Sequence, residues 1–405
     1  MNRNHALALA ARTQNIEPFY VMELMKHAHT LELAGRHIIH MSVGEPDFTA
    51  PQIVIDALAA AMQRGDTHYT AATGIFRLRR AIAEFQKARH GVDVDPSRII
   101  VTAGASGALL LTMAAVVDPG REILMPDPSY PCNRHFVAAF DGVAKLIPSG
   151  PEHRFQLTAP QVESHWTAAT RGVLIASPSN PTGTSIAPAE MQRIIEAVAA
   201  RNGVTIVDEI YLELSYEGAG EMHHRSALEF SDDVIVINSF SKYFHMTGWR
   251  LGWAVVPESM VPTFEKLAQN LFICASTPAQ YAALACFEPE ALAIYEARKQ
   301  EFKRRRDYIV PALRTIGFEV PVMPDGAFYV YADCSRFLTR ERPDSNALAL
   351  HILDEGGVAL VPGKDFGHYQ PERWLRLSYA TSMENLREAV ARMSRLLLED
   401  KRSVA

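Results

Sequence analysis

Short apolar segments alternate with amphipathic segments along the first three quarters of the chain. The apolar segments that predict buried strands lie at 99–102, 122–125, 172–176, 204–207, 234–238 and 252–256. Helical spacing of apolar residues lies between most of them and also before them, at 51–64 and 75–90. Strands that alternate with helices in this way form a mainly parallel sheet covered by helices. The pattern therefore predicts an α/β fold.

The pattern changes after about residue 290. A long charged helix is predicted at 291–314, followed by short strands near 318–322, 328–331, 358–360 and 375–378 and by a C-terminal helix. Near the start, residues 16–33 predict an arm and a helix, with Pro18 near its first turn. We therefore predict an N-terminal arm (1–50) that packs with a small α+β domain (291–405), and a large domain (51–290) between them.

Composition restricts the function classes. The 46 acidic residues exceed the 40 basic ones, and a net charge of −6 gives no reason to expect nucleic acid or an anionic membrane as partner. Cys132, Cys274, Cys286 and Cys334 have no metal-binding spacing, which indicates a reducing compartment without a metal site. No apolar segment reaches the ~18 residues of a membrane span, and we find no signal peptide. We expect a cytoplasmic protein.

A lysine beside phosphate-binding groups follows one of the predicted strands. Ser239, Ser241 and Lys242 come after the apolar segment 234–237, and Arg250 follows eight residues later. Serine hydroxyls and a fork-shaped guanidinium suit a phosphate dianion, and a lysine amine can form an imine with an aldehyde. Pyridoxal 5′-phosphate (PLP) is the cofactor that needs both. We predict that Lys242 holds PLP as an internal aldimine.

A second candidate phosphate site is the strand, turn and helix at 101–109. Ala105 and Ser106 stand at the predicted helix start, where free N–H groups and the helix dipole bind anions. The segment is not a P-loop, because no Gly-Lys-[Ser/Thr] follows. A tight strand–helix turn without a ligand would have the same small residues, so the segment alone leaves both readings open.

Polar residues that suit a pyridine ring follow two other predicted strands. Asp208 ends the strand at 204–207, and a buried carboxylate needs a cationic partner such as a protonated pyridine nitrogen. This ion pair would keep the ring protonated as an electron sink. Tyr211, three residues later, can donate to the ring oxygen, and Asn180 can do the same from an Asn-Pro-Thr-Gly segment. Alone, such a segment is usually a turn.

The order of these motifs resembles that of the class I and II aminotransferases, in the aspartate aminotransferase superfamily of PLP fold type I. The resemblance covers about residues 16–400. It implies a mainly parallel seven-stranded sheet flanked by helices in the large domain, and a smaller α+β domain. It also implies ping-pong transfer of an amino group from an amino acid to a 2-oxo acid, with Lys242, Asp208 and Tyr211 in catalysis.

The resemblance extends to residues whose pattern alone says little. It implies a homodimer with shared active sites, in which Tyr69 reaches the phosphate bound by the neighbouring subunit. It implies that Tyr130 stacks on the pyridine ring, although Tyr130 and Tyr69 would also suit simple packing beside turns. It further implies that Arg376, with Asn180 and the backbone of Gly44, binds the substrate α-carboxylate.

Substrate and reaction type are less fully specified. Ser106 stands where aspartate-using relatives often have lysine, which favours neutral or aromatic amino acids. Phe19 and Tyr20 suit either an apolar substrate pocket or packing of the arm. A PLP-dependent carbon–sulfur β-lyase would use the same cofactor-binding residues, and it would release ammonia and pyruvate without an amino acceptor. A regulator on this fold needs a DNA-binding domain ahead of the PLP domain, for which the chain has no room.

Overall fold

The structure is a computed structural model that describes residues 8–18, 20–216 and 224–404. Its α-helices are α1 (Tyr20–Leu33), α2 (Gln52–Arg64), α3 (Phe76–His90), α4 (Gly104–Val116), α5 (Pro131–Ala138), α6 (Ala159–His165), α7 (Pro188–Ala199), α8 (Val261–Leu271), α9 (Thr277–Ala283), α10 (Pro289–Ile316), α11 (Ser345–Gly356) and α12 (Met383–Val404). Its strands are β1 (Ile39–His40), β2 (Ile99–Thr102), β3 (Glu122–Asp127), β4 (Val143–Pro148), β5 (Thr170–Ala176), β6 (Val204–Asp208), β7 (Ile235–Ser239), β8 (Gly252–Val255), β9 (Tyr329–Asp333), β10 (Val358–Ala359), β11 (Val361–Pro362) and β12 (Trp374–Ser378).

The large sheet is mixed but mainly parallel. In the described part of the chain it has seven strands, in the order β2-β8-β7-β6-β5-β3-β4. The strands from β7 to β4 pair in parallel, whereas β8 is antiparallel to both β2 and β7. The predicted fold class is therefore confirmed. The sequence missed β4, an edge strand on which Val143 is exposed, because an edge strand lacks the continuous apolar pattern of the central ones.

Helices cover both faces of this sheet, which explains why its central strands are apolar throughout. Successive strand residues point to opposite faces, so Val236 packs into one core cluster while Ile235 and Ile237 pack into the other. The second cluster includes α4 and α8, and the first extends into the C-terminal part of the chain, including α11 and α12. The central strands are thus fixed rigidly, and with them the loops at their carboxyl ends.

The C-terminal part of the chain forms a second, antiparallel sheet in the order β11-β12-β9. The N-terminal segment pairs with this part of the chain in a separate two-stranded sheet, in which β1 is parallel to β10. The strand predicted near 318–322 was wrong: a single bridge joins Glu319 to Asp333 there, because Pro321 and Pro324 lack the N–H that a ladder requires. The boundaries near residues 50 and 290 stay predictions.

Membrane-spanning helices and metal-binding clusters are both absent from the described ranges. No helix there is long and apolar enough to cross a membrane. No group of three or more His, Cys, Asp or Glu side chains there could hold a metal ion.

Candidate active site

A cavity of about 400 Å³ opens at the carboxyl edge of the large sheet. Parallel strands bring their last residues to this edge, and the register pairs Ala176 of β5 with Asp208 of β6 and Asp208 with Ile237 of β7. In open α/β sheets, ligands bind at such an edge. The cavity is lined by the residues predicted for the site apart from Tyr69: Gly44, Ala105, Ser106, Tyr130, Asn180, Asp208, Tyr211, Ser239, Ser241, Lys242, Arg250 and Arg376.

Lys242 lies in the turn after β7 and directs its amine toward the N-terminal segment. Its Nζ donates a hydrogen bond of 2.6 Å to the backbone carbonyl of Gly44. Burial lowers the pKa of Lys242 to about 8, a shift that the nearby carboxylate of Glu45 partly opposes. An amine with this pKa is partly neutral near pH 7.5, so it can act as a nucleophile and as a base.

Asp208 ends β6 and is only 6% exposed. One of its oxygens accepts a 3.0 Å hydrogen bond from the backbone N–H of Ile210, and within the described residues it forms no ion pair. Burial raises its pKa to about 6. A buried carboxylate of this kind is stabilised by a cation that enters the cavity, as a protonated pyridine nitrogen would.

Two tyrosines line the cavity near Asp208. The hydroxyl of Tyr211 shares a hydrogen bond of 2.8 Å with that of Tyr329, from β9. Burial raises the pKa of Tyr211 well above its ordinary value, so the hydroxyl stays protonated and can donate. The hydroxyl of Tyr130 accepts a hydrogen bond of 3.2 Å from Cys132.

One end of the cavity combines hydroxyls, a guanidinium and a helix start. Ser239 donates to Ser241 at 3.0 Å, and Nη1 of Arg250 donates to the Thr247 carbonyl at 2.9 Å. Gly104 has φ +74°, and a Cβ there would lie 2.5 Å from Nη2 of Arg250. Glycine therefore lets the guanidinium approach the first turn of α4, where Ala105 and Ser106 lie. Free N–H groups, hydroxyls and a guanidinium together suit a phosphate.

The opposite end holds a buried guanidinium. Arg376, on β12, donates from Nη1 to Oδ1 of Asn180 at 3.0 Å and from Nη2 to the Ser42 carbonyl at 2.6 Å. Its guanidinium lies 4.6 Å from the ring centroid of Tyr329 and 4.9 Å from that of Phe366. Among the described residues its Nε has no hydrogen-bond partner. A buried arginine with an open donor suits a carboxylate ligand.

Some residues that line the cavity were not predicted from the sequence. Val21, Met22 and Met25 on α1 line it, as do Glu45 and Asp365. The apolar helical spacing of Val21, Met22 and Met25 could have indicated the first three. The position of Glu45 beside Gly44 could have indicated the fourth. Asp365 gave no such signal, because its position depends on its long-range contact with the start of α1.

In the described part of the chain, two aromatic residues that the sequence analysis considered for the site, Tyr69 and Tyr20, do not line the cavity. Tyr69 lies outside the cavity with 81% of its surface exposed, so one chain alone does not bring it to the site. Tyr20 does not line the cavity either; Nζ of Lys364 lies 4.2 Å from its ring centroid. The apolar side chains of α1 that line the cavity are those of Val21, Met22 and Met25. Phe19 is outside the described residues.

The donor set fits PLP at each of its polar groups. The unpaired carboxylate of Asp208 suits the ring nitrogen, and the cradle that a Cβ at Gly104 would fill suits the phosphate. The partly neutral amine of Lys242 lies in the same cavity and suits the aldehyde.

Comparison with known proteins identifies the family. The family model for aminotransferase class I and II matches residues 36–393. The chain is 38% identical to valine–pyruvate aminotransferase of Mycobacterium tuberculosis, over 93% of this chain and 96% of the relative. It is 33% identical to aspartate aminotransferase of Geobacillus stearothermophilus, over 96% and 99%.

Solved structures agree with the family model. A crystal structure of an aminotransferase from Mycobacterium tuberculosis matches with a TM-score of 0.92 and 37% identity, covering 97% of this chain and 100% of that one. Aspartate aminotransferase from Thermus thermophilus with maleate matches with a TM-score of 0.89 and 32% identity, covering 96% and 100%. The chain is thus an enzyme of the class I and II aminotransferase family.

Proposed function

We propose that the protein uses PLP to move an amino group from an amino acid to a 2-oxo acid in two half-reactions, that is, by ping-pong kinetics. The observation that carries the proposal is the placement of the half-buried Lys242 and the buried Asp208, each with a shifted pKa, in one cavity between two candidate anion sites. When bound, PLP supplies an aldehyde that condenses with amines and a ring that accepts electrons from the substrate α carbon.

Residues at three parts of the cavity would hold the cofactor. Its phosphate would be bound by Ser239, Ser241, Arg250 and the helix start at Ala105 and Ser106. Asp208 would pair with the ring nitrogen, Tyr211 and Asn180 would donate to the ring oxygen, and Tyr130 would pack on the ring. Lys242 would be the point of covalent attachment.

The remaining polar groups would orient and deprotonate the substrate. Arg376 would bind the α-carboxylate through its open Nε, with Asn180 and the Gly44 backbone beside it. The amine of Lys242, once free, would take the α proton onto Nζ and release it in the following step. The hydrogen bond to the Gly44 carbonyl holds this amine beside the segment that meets the substrate carboxylate.

The active form would be a homodimer with shared sites. Tyr69 is polar at its tip, highly exposed, and outside its own cavity, as expected for a residue that completes the site of a second copy. The family resemblance supports this role. The name of the Mycobacterium relative, a valine–pyruvate aminotransferase, supports a neutral amino acid as donor.

The decisive experiment follows the visible spectrum of the purified protein while amino acids are added singly, without an acceptor. Transamination predicts loss of the aldehyde-form absorbance, gain of the amine form and one 2-oxo acid per site. Addition of a second 2-oxo acid should restore the first spectrum. Release of ammonia and pyruvate with the aldehyde-form spectrum unchanged would instead identify a β-lyase, and no response to any amino acid would refute the proposal.

A further inference from the structure

We propose that the cavity-facing side of α1 forms the substrate side-chain pocket and selects amino acids with neutral, apolar side chains. This inference rests on the proposed aminotransferase function and adds its substrate class.

The helix α1 has two apolar sides with different neighbours. Leu24 and Ala28, one turn apart, are buried in the core that includes the small domain. Val21 and Met25 share the adjoining side, because positions i and i+4 lie on one face of a helix, and Met22 lies about 100° further round the helix. All three line the cavity. One side of the helix is therefore fixed to the protein, while the other presents apolar side chains to a ligand.

Polar contacts hold α1 in this orientation. Oδ1 of Asp365 accepts a hydrogen bond of 3.0 Å from the backbone N–H of Tyr20, at the first turn. Nε2 of His27 lies 2.6 Å from Oδ1 of Asp354, nearer the other end. Val21, Met22 and Met25 all lie between these two contacts, so their positions are determined by the docking of α1.

The charges that line the cavity disfavour a second substrate carboxylate. Among the described lining residues, the cations are Lys242, Arg250 and Arg376, and each already has a role toward PLP or the α-carboxylate. Asp365, which is buried and lines the same cavity, would repel an additional carboxylate and has its own helix N–H donor. Within one subunit, a dicarboxylic substrate would therefore bring a buried charge without a cationic partner, which is strongly unfavourable.

The apolar lining favours a hydrophobic side chain. Each methylene that enters such a pocket changes specificity by about 10–200-fold. Methionine side chains are unbranched and adapt to different shapes. Met22 and Met25 should therefore accept several aliphatic and thioether side chains.

The first test compares substrates and dead-end ligands on the wild-type holoenzyme. Leucine and methionine should convert the cofactor at least about tenfold more efficiently than aspartate and glutamate, measured as kcat/KM of the first half-reaction. The dissociation constant of 4-methylpentanoate, read from the visible spectrum, should be at least about tenfold lower than that of succinate. Equal or better values for the dicarboxylates would overturn the inference, whichever subunit supplied the cation.

The second test changes the pocket. Met25→Arg should shift the leucine-to-aspartate ratio toward aspartate by about tenfold or more, whereas Leu33→Arg should leave it unchanged. Leu33 is the matched control because it ends the same helix with 77% of its surface exposed. An unchanged ratio in a folded Met25→Arg enzyme would count against the pocket. If that variant does not fold, Met25→Ala should lower leucine efficiency while sparing alanine, and equal effects on both would refute the assignment.

These outcomes separate the inference from the function on which it rests. Conversion by dicarboxylates alone would leave an aminotransferase with a different substrate class. The absence of conversion by every amino acid would refute the aminotransferase reaction itself.

Discussion

The hydroxyl groups of Tyr211 and Tyr329 lie 2.8 Å apart and join the loop after β6 to the first residue of β9. The guanidinium of Arg376 lies over the ring of Tyr329, 4.6 Å from the ring centroid. A Cβ on Gly44 would lie 3.2 Å from the same hydroxyl. Tyr329 therefore lies against Tyr211, the proposed donor to the ring oxygen, and Arg376, the proposed ligand of the substrate carboxylate. It also lies beside Gly44, whose carbonyl accepts a hydrogen bond from Lys242.

Replacement of Tyr329 by Phe should remove its hydrogen bond to Tyr211 and keep the ring contact with Arg376. The ring would still support Arg376, so the dissociation constant of carboxylate ligands should change less than twofold. Loss of a hydrogen bond worth about 0.5–1.5 kcal/mol to Tyr211 should lower the first half-reaction rate about 3–10-fold. The pH midpoint of the visible absorbance should shift as well, because Tyr211 would lose its partner.

The control for this prediction is Tyr308→Phe, on α10 and away from the cavity. It should match the wild type in spectrum, rate and ligand binding. A Tyr329→Phe enzyme with the control's rate and spectral midpoint would show that the 2.8 Å hydrogen bond has no part in positioning Tyr211.

Lys242→Ala should separate cofactor binding from turnover. The phosphate groups around Ser239, Ser241 and Arg250 remain, so PLP should still copurify but should not be fixed covalently by borohydride. Removal of the base should slow the half-reaction by about 10²–10⁴-fold, with partial rescue by a small added amine. The exposed Lys266→Ala is the control. Near-normal turnover of Lys242→Ala would remove this lysine from the mechanism.

Local sequence patterns located the cofactor end of the site. Asp208, Asn180 and Lys242 follow apolar strands that are fixed by short-range pattern, so the parallel sheet brings them to one edge. Arg376 is different: strand alternation alone would make it a solvated residue, and only the family resemblance singled it out. It is buried because Tyr329 and Phe366 cover its guanidinium.

Residues whose position depends on long-range packing could not be predicted. Asp365 reaches the cavity only because it docks on the N–H of Tyr20, 345 positions away in sequence. Tyr329 meets Tyr211 only because β9 pairs with β12 and the C-terminal sheet lies against the loop after β6. Neither relationship leaves a periodic signal, so the cofactor-binding groups were visible in the sequence and the substrate-side contacts were not.

The proposed exchange of Tyr69 between subunits predicts complementation. Homodimers of Tyr69→Ala and of Lys242→Ala should both be impaired. A heterodimer with one variant in each subunit should regain one intact site, since the unmodified Tyr69 of one subunit would meet the unmodified Lys242 of the other. Its activity per dimer should approach half that of the wild type.

The complementation is measured on heterodimers isolated with two different affinity tags. A core substitution such as Phe318→Ala would not serve as the partner of Lys242→Ala in a control heterodimer, because loss of this buried side chain would destabilise its own subunit. The useful control pairs wild type with Lys242→Ala and should also give about half activity. If Tyr69 acted in its own subunit, the mixed variant dimer would have no intact site and would stay as weak as its parents.

Asp208→Asn should have opposite effects on the apoprotein and on the holoenzyme. Burial raises the pKa of Asp208 to about 6 from 3.8, so the folded apoprotein binds more protons than the unfolded chain between these values. The contribution of Asp208 to the free energy of unfolding of the apoprotein therefore falls as pH rises from 3.8 to 6. The loss is about 1–3 kcal/mol, at 1.36 kcal/mol per pKa unit. Asparagine keeps an oxygen for the Ile210 N–H and removes the charge.

We therefore expect apo Asp208→Asn to unfold at higher urea concentration than apo wild type at pH 8, with a smaller gap at pH 5. In the presence of PLP the variant should instead bind the cofactor more weakly, because the ring nitrogen loses its carboxylate. The exposed Asp118→Asn should show neither effect. A gap of the same size at both pH values would mean that the Asp208 charge is not what destabilises the apoprotein, and unaltered PLP affinity would mean that the carboxylate does not pair with the ring.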